Sequence, residues 1–376
     1  MSTLLYRALV VLFILSVSPT PFAHHFAAAA QLQETAITIS IRSTPTAALE
    51  SEIKLNTAQI KQLMKNVKEE EGTAPTSLTD AYVTIEHNDH SEHYRLDFAN
   101  HFWKISEKKC LILSNSAVAQ MKKYVEALRK KHYGRMLPWK DIKTMLPLKS
   151  TFTVTDLETG LSFRVQRRAG SDHADVQPLT TEDTKIMKQI YNNKWSWNRK
   201  AVIIQKGNEM LAASMNGMPH GGDGIPENGF SGHFCIHFLG SSTHRSVHTD
   251  LLHQFMVHKA AGEQKQYIST ASPYMLAHLF IESLNLQDAE LLRQVSDGLP
   301  TETLESIIND MDNIKATRVQ QKYAPETNDV EDNLLQEITL PVALQYKGKR
   351  TKNVTFRFVF ARESLQSPWL ARDFSQ

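Results

Sequence analysis

A cysteine flanked by histidines at alternate positions is the part of this sequence best equipped for chemistry. Residues 232–238 read Gly-His-Phe-Cys-Ile-His-Phe. In an extended conformation His233, Cys235 and His237 point to one face, and Phe234, Ile236 and Phe238 point to the other. The β-branched and aromatic content favours a strand, with its apolar side in a core and His-Cys-His facing a cleft. Helical spacing would also bring His233 near His237, at i and i+4. A free thiol titrates at about 8.5 and needs an imidazole beside it to act as a nucleophile at neutral pH. His220, His233 and His237 are the nearby candidates. His220 lies in a loop, 217–229, dense in Gly, Pro, Asn and Asp. It can fold back onto Cys235 while the carbonyl of Gly221 or another loop acceptor fixes its tautomer. The amides around Phe234 and Cys235 are candidate donors to the oxyanion of a tetrahedral intermediate.

His220-Gly221, a loop, and then Gly232-His233-Phe234-Cys235-Ile236-His237 resemble the L,D-transpeptidase catalytic domain of the YkuD type. That family's signature is a His, a spacer, and Ser/Thr-His-Gly-Cys followed by an apolar residue and Arg or Asn. The resemblance implies a β-rich domain that cross-links peptidoglycan stem peptides through a thioester, with no cofactor. By position it implies Cys235 as nucleophile, His220 as general base and His233 as the motif histidine lining the site. Gly221, Gly232, Phe234, His237, His244 and Arg245 would support the site or bind substrate, Arg245 by holding a carboxylate. The chain departs from the pattern at Gly232 (usually Ser/Thr), Phe234 (usually Gly) and His237 (usually Arg or Asn), and its spacer is shorter. A Phe where a Gly takes φ > 0 would be strained there or would reshape the oxyanion hole. A His in place of Arg would hold a carboxylate weakly at neutral pH.

Two other readings compete for the same residues. His233, Cys235 and His237, with His220 or His173 and Asp175 approaching, have the donor types of a zinc site. That reading makes the protein a zinc-dependent cell-wall hydrolase. Alternatively Cys235 is packing, as Cys110 in Lys-Lys-Cys-Leu-Ile-Leu is read to be, and the scaffold is a non-catalytic envelope binding protein. The pair His253 and His258 is spaced by five on a helix over 250–260, poor for a shared metal, and reads as solvated.

The elements that must position these groups fall into three regions. Over 35–135, stretches 81–87 and 93–98 alternate as strands around a polar turn. Val118, Met121, Val125 and Leu128 then mark a helix with Ser116 as N-cap, a basic solvated end at 129–132, and Gly134 closing it. Over 136–262, two hairpins are expected, 151–155 with 161–165 and 201–205 with 210–214, separated by a helix over 182–191. Trp195 and Trp197 read as half-buried packing, or as a platform for sugar. Over 270–376, helices at 273–286 and 301–311 precede two long strands alternating at 338–346 and 354–360 about Gly348. Helices followed by antiparallel strands make an α+β domain. The ending 367–373 loosely resembles the nuclear-transport-factor-2-like cone, which implies an accessory domain. The expected fold class is therefore α+β multidomain, with a mostly-β centre between two α+β flanks.

Composition narrows the function classes. With 42 Lys+Arg against 40 Asp+Glu, there is no electrostatic case for nucleic acid. Two cysteines cannot make a disulfide framework or a four-thiolate zinc site. Seven of the 16 histidines lie between His220 and His258. Residues 1–30 have a positively charged start, a short apolar run at 8–16 and small residues at 27–30, the layout of a secretory signal peptide. No later segment is long and apolar enough to span a bilayer. The expectation is an exported envelope or extracellular protein that acts on stem peptides and is not integral to the membrane.

Overall fold

A computed structural model describes residues 36–75, 78–88, 90–222, 224–243, 249–320 and 333–376. The expected signal peptide (1–30), His244 and Arg245 lie outside the described residues. Within them the chain is α+β, with three antiparallel sheets.

The first sheet is built from β1 (Ala36–Ile41), β2 (Ser51–Lys54), β3 (Lys68–Glu71), β4 (Ala81–Glu86), β5 (Ser91–Leu96), β6 (Phe102–Lys104) and β7 (Lys109–Ile112), in the order β2-β1-β4-β5-β6-β7-β3. A short helix α1 (Thr57–Leu63) links β2 to β3, and α2 (Asn115–His132) packs across β1 and β2. Helix α2 buries Ala117, Met121, Val125, Leu128 and His132 along one stripe, the spacing that an amphipathic helix requires. Its N-cap is Ser114, not Ser116; the Ser114 hydroxyl accepts the amide of Ala117. Its basic end is solvated only at Lys130 and Lys131. Arg129 is tied to the Asp80 carboxylate, with Nε 3.0 Å from Oδ1, and Tyr133 donates its hydroxyl to the same carboxylate at 2.8 Å. Gly134 does not close the helix by a left-handed turn. It is glycine because a Cβ there would lie 2.4 Å from the amide nitrogen of Ala212.

The second sheet is a closed barrel. After α3 (Trp139–Met145) come β8 (Thr151–Asp156), β9 (Ser162–Ala169), β10 (Ala174–Pro178), α4 (Thr181–Ile190), β11 (Lys200–Lys206), β12 (Glu209–Met215) and β13 (Phe234–His237). The strands close in the order β10-β13-β12-β11-β8-β9. Alternate residues such as Phe152 and Val154, Val202 and Ile204, and Phe234 and Ile236 fill the interior. On β11 the outward residues Ala201 and Ile203 are buried as well, so that strand is apolar on both faces.

The cover over that outer face is α5 (Leu251–Ala260), which packs on β11, β12 and β13. It is apolar nearly all round, and nine of its ten residues are buried. This corrects the solvated reading of His253, which lies inside at 2% exposure because the helix carrying it is internal. Beyond it α6 (Gln264–Ser269), α7 (Pro273–Leu286), α8 (Ala289–Val295) and α9 (Thr301–Met311) precede β14 (Ile314–Val319), β15 (Leu335–Tyr346), β16 (Lys352–Ala361) and β17 (Leu370–Ser375), which pair in that order. Phe280 of α7 packs on Phe358 and Phe374 of this last sheet, at ring separations of 5.1 and 4.8 Å. One continuous apolar cluster joins the first sheet, the outer face of β11, α5 and the C-terminal layer, and a second fills the barrel. Among the described residues no helix is long and apolar enough to cross a membrane.

Candidate active site

The alternation in 233–237 is realised as β13. Phe234 is fully buried in the barrel, 6.0 Å from the Phe163 ring, and Ile236 is buried beside it. Cys235 and His237 therefore point outward, beneath α5. Phe234 sits in ordinary extended backbone; it is not among the residues with positive φ. The strain expected at that position is absent. Its ring is core and does not face the thiol.

The left-handed requirement falls at the glycines instead. His220 and His233 pair as an antiparallel bridge, His220 N–H to the His233 carbonyl at 3.0 Å and His233 N–H to the His220 carbonyl at 2.8 Å. Gly232 turns the chain into this bridge with φ +89°, and a Cβ on it would lie 2.3 Å from the His220 carbonyl oxygen. Gly221 has φ +70° and passes equally close to the His233 ring. The loop is thus pinched at its base by two backbone hydrogen bonds and two glycines, which fixes His220 over β13.

That pinch places His220 Nε2 3.2 Å from the Cys235 sulfur. The other ring nitrogen, Nδ1, lies 2.8 Å from the Met218 carbonyl. A carbonyl only accepts, so Nδ1 carries the proton and Nε2 is left as a base aimed at the thiol. The expected loop acceptor exists, but it is Met218 and not Gly221. Burial pushes the Cys235 thiol up to about 12, and the neighbouring Asp175 carboxylate adds to the shift. The Asn216 carboxamide N–H bonds the sulfur and opposes it. At neutral pH the sulfur is therefore a protonated thiol that must pass its proton to a base as it attacks.

Three residues outside the motif complete the surroundings. Asp175 is the direct ladder partner of Cys235 across β10 and β13, with Oδ1 3.9 Å from the sulfur, 3.1 Å from His173 Nε2 and 3.8 Å from His233 Nε2. Asn216 follows β12 and is 4% exposed; nothing in its sequence context singled it out. Trp197 is half exposed, and its ring lies 5.0 Å from that of His220, at the open side of the site. Trp195 is packing, edge-on to Phe230 at 5.3 Å. The packing expected of this pair is thus seen at Trp195, while Trp197 stays half exposed.

His237 does not reach outward to a substrate. It is 2% exposed and stacked between His173 (4.5 Å) and His253 (3.8 Å), whose Nδ1 meets the Ser214 hydroxyl at 2.8 Å. Burial holds His237 and His253 well below the usual histidine range. The metal-type grouping is real in geometry: donor atoms of His173, Cys235 and His237 lie within 4.8 Å of one another, as do those of His220, His233 and Cys235. The oxyanion donors expected from the strand are less available, because β13 is paired on both flanks, to β10 and to β12. Asn216, already on the sulfur, is the better-placed donor.

No protein-family model matches this chain, and no curated protein or solved structure matches it significantly.

Proposed function

We propose that the protein is an exported cysteine acyltransferase acting on peptidoglycan stem peptides, with L,D-transpeptidase-like chemistry. The observation that carries the proposal is the Cys235–His220 pair at 3.2 Å with the His220 tautomer set by Met218. In the first step the thiol proton passes to His220 Nε2 while the sulfur attacks the carbonyl of the donor peptide. The tetrahedral intermediate then expels the terminal D-residue amine, which takes the proton from His220, and a thioester remains. An amine on a second stem attacks the thioester and gives a proton to His220 Nε2; the C–S bond breaks and the leaving thiolate takes that proton back. Asn216 is the side-chain donor on the reacting sulfur, and Trp197, whose ring lies 5.0 Å from that of His220, borders the approach.

The zinc-hydrolase reading has its residues together, but a catalytic zinc keeps an open position for water or substrate. His173 and His237 are 1% and 2% exposed, whereas His220 and His233 beside Cys235 are part-exposed, and metal analysis of the purified protein separates this reading from the thiol one.

The test is intact-mass analysis after incubation with a carbapenem-type β-lactam, which acylates such thiols. Wild type gains one adduct and Cys235→Ala gains none. His220→Ala acylates more slowly by about 10²–10⁴, the contribution of a positioned general base. Absence of both adduct and stem-peptide turnover in folded wild type refutes the proposal and leaves the non-catalytic binding protein.

A further inference from the structure

Attack by the thiol on its donor leaves one prominent side chain of the site without a task. Four of the five tryptophans are buried or half-buried, whereas Trp197 is 50% exposed. The backbone that carries it is nonetheless held firmly. Arg199 Nη1 donates to the Trp197 carbonyl at 3.1 Å, and Nη2 of the same guanidinium donates at 2.6 Å to Asp250, the N-cap of α5. One residue earlier, the Ser196 carbonyl accepts the Gly217 amide at 2.8 Å, three positions before His220. The loop with Trp197 and the loop with the base are thereby tied together, and the indole ring lies 5.0 Å from the His220 ring.

The second half of the reaction has a component that this ring suits. The acceptor is an amine, and a primary amine on an alkyl chain titrates at about 10.4, so it arrives at neutral pH as an ammonium ion. The face of a Trp ring is the best aromatic surface for a cation, which it attracts within about 6 Å of its centre. An attacking nitrogen must stand about 3–3.5 Å from its carbon. With the two rings 5.0 Å apart and His220 Nε2 3.2 Å from the sulfur, one nitrogen can satisfy both limits. The Arg199 charge does not repel it, because that guanidinium is paired with Asp250.

We propose, on the reading of Cys235 as the acyl-transfer nucleophile, that the Trp197 ring is the acceptor subsite: it binds the ammonium-bearing chain of the second stem peptide and so favours transfer over hydrolysis. The ammonium gives one proton to solvent. The free amine then forms a C–N bond to the thioester carbonyl carbon, and one of its two remaining protons passes to His220 Nε2. The C–S bond breaks, and the thiolate takes that proton back. Water, small and uncharged, gains nothing from the ring.

The experiment supplies the full chain with a donor tetrapeptide and measures by mass spectrometry how the acyl-enzyme divides between transfer and hydrolysis. That ratio does not depend on how fast the acyl-enzyme forms. The probes are n-butylamine, a cation at neutral pH, and methoxyamine, which is neutral there. Trp197→Ala should lower the transfer-to-hydrolysis ratio for n-butylamine about tenfold and raise its KM to match, while changing the ratio for methoxyamine by less than about threefold. Trp197→Phe keeps a ring face and should recover most of the loss. An unchanged n-butylamine ratio in Trp197→Ala overturns the subsite, as does an equal fall with both probes. Folded wild type that forms no acyl-enzyme fails one step earlier, and that result removes the acyl-transfer reading and the subsite with it.

Discussion

Replacing Gly232 by serine brings the chain closer to the motif it resembles, yet the structure says it will damage the site. Gly232 has φ +89°, where a residue with a Cβ is strained by about 1–3 kcal/mol. The new Cβ would start 2.3 Å from the His220 carbonyl oxygen, and ordinary contact begins at 3.4 Å, so the two must separate by about 1.1 Å. That oxygen accepts the His233 amide at 2.8 Å, one of two hydrogen bonds that hold the His220 backbone over β13. Moving it carries His220 Nε2 away from a sulfur only 3.2 Å distant. Misplacing a catalytic group by about 1 Å costs on the order of 10²-fold. The expected result for Gly232→Ser is a β-lactam acylation rate constant down about 10²-fold, with stability to urea lower by about 1–3 kcal/mol. The assay is a stopped time course by intact mass, beside equilibrium unfolding of the same sample. A variant that acylates within about threefold of wild type at unchanged stability refutes the assigned role of the close approach.

Two further outcomes follow from groups away from the site. Burial depresses His132 and His278 from 6.5 to about 4. Both are neutral when folded and take up protons more readily when unfolded, so their contribution is full above pH 6.5, falls from there and is lost by about pH 4; each should cost about 2 kcal/mol of stability between pH 7.5 and 5, read as urea midpoints for wild type against His132→Gln, which should flatten the profile. Asp80→Ala leaves the Arg129 guanidinium and the Tyr133 hydroxyl without their shared carboxylate; a loss of about 2–3 kcal/mol in urea unfolding is expected, and a change below about 0.5 kcal/mol would show the pair to be solvent-compensated.

The parts of this fold that the sequence reveals are those decided by local period. The alternation Phe234-Cys235-Ile236-His237 is enough to place the thiol on the face opposite the barrel interior. The hairpins at 151–169 and 200–215 and the long strands β15 and β16 are likewise legible, because period-two patterns and their turns are local properties. What stays hidden depends on partners distant in sequence. Asp175 is among the donors expected to approach Cys235, but the register that makes it the thiol's direct ladder partner, 60 positions away, has no local signal. His253 looks like one histidine on a helix until α5 is found buried on nearly every side. One hint was present: Ala201-Val202-Ile203-Ile204 is a continuous apolar run instead of an alternation, the mark of a strand covered on both faces.

The departures from the transpeptidase pattern also make sense as a set. A strand that is paired on both flanks and feeds a barrel interior needs a bulky apolar side chain at its inward positions, and Phe234 is fully buried there. The backbone freedom that a glycine provides is needed two residues earlier, where the chain must enter the bridge to His220 with positive φ. Gly232 and Phe234 are thus reciprocal: each occupies the position whose φ and surroundings suit it. His237 completes the set, since an arginine at a site stacked at 4.5 and 3.8 Å between two imidazoles would bury an unpaired charge.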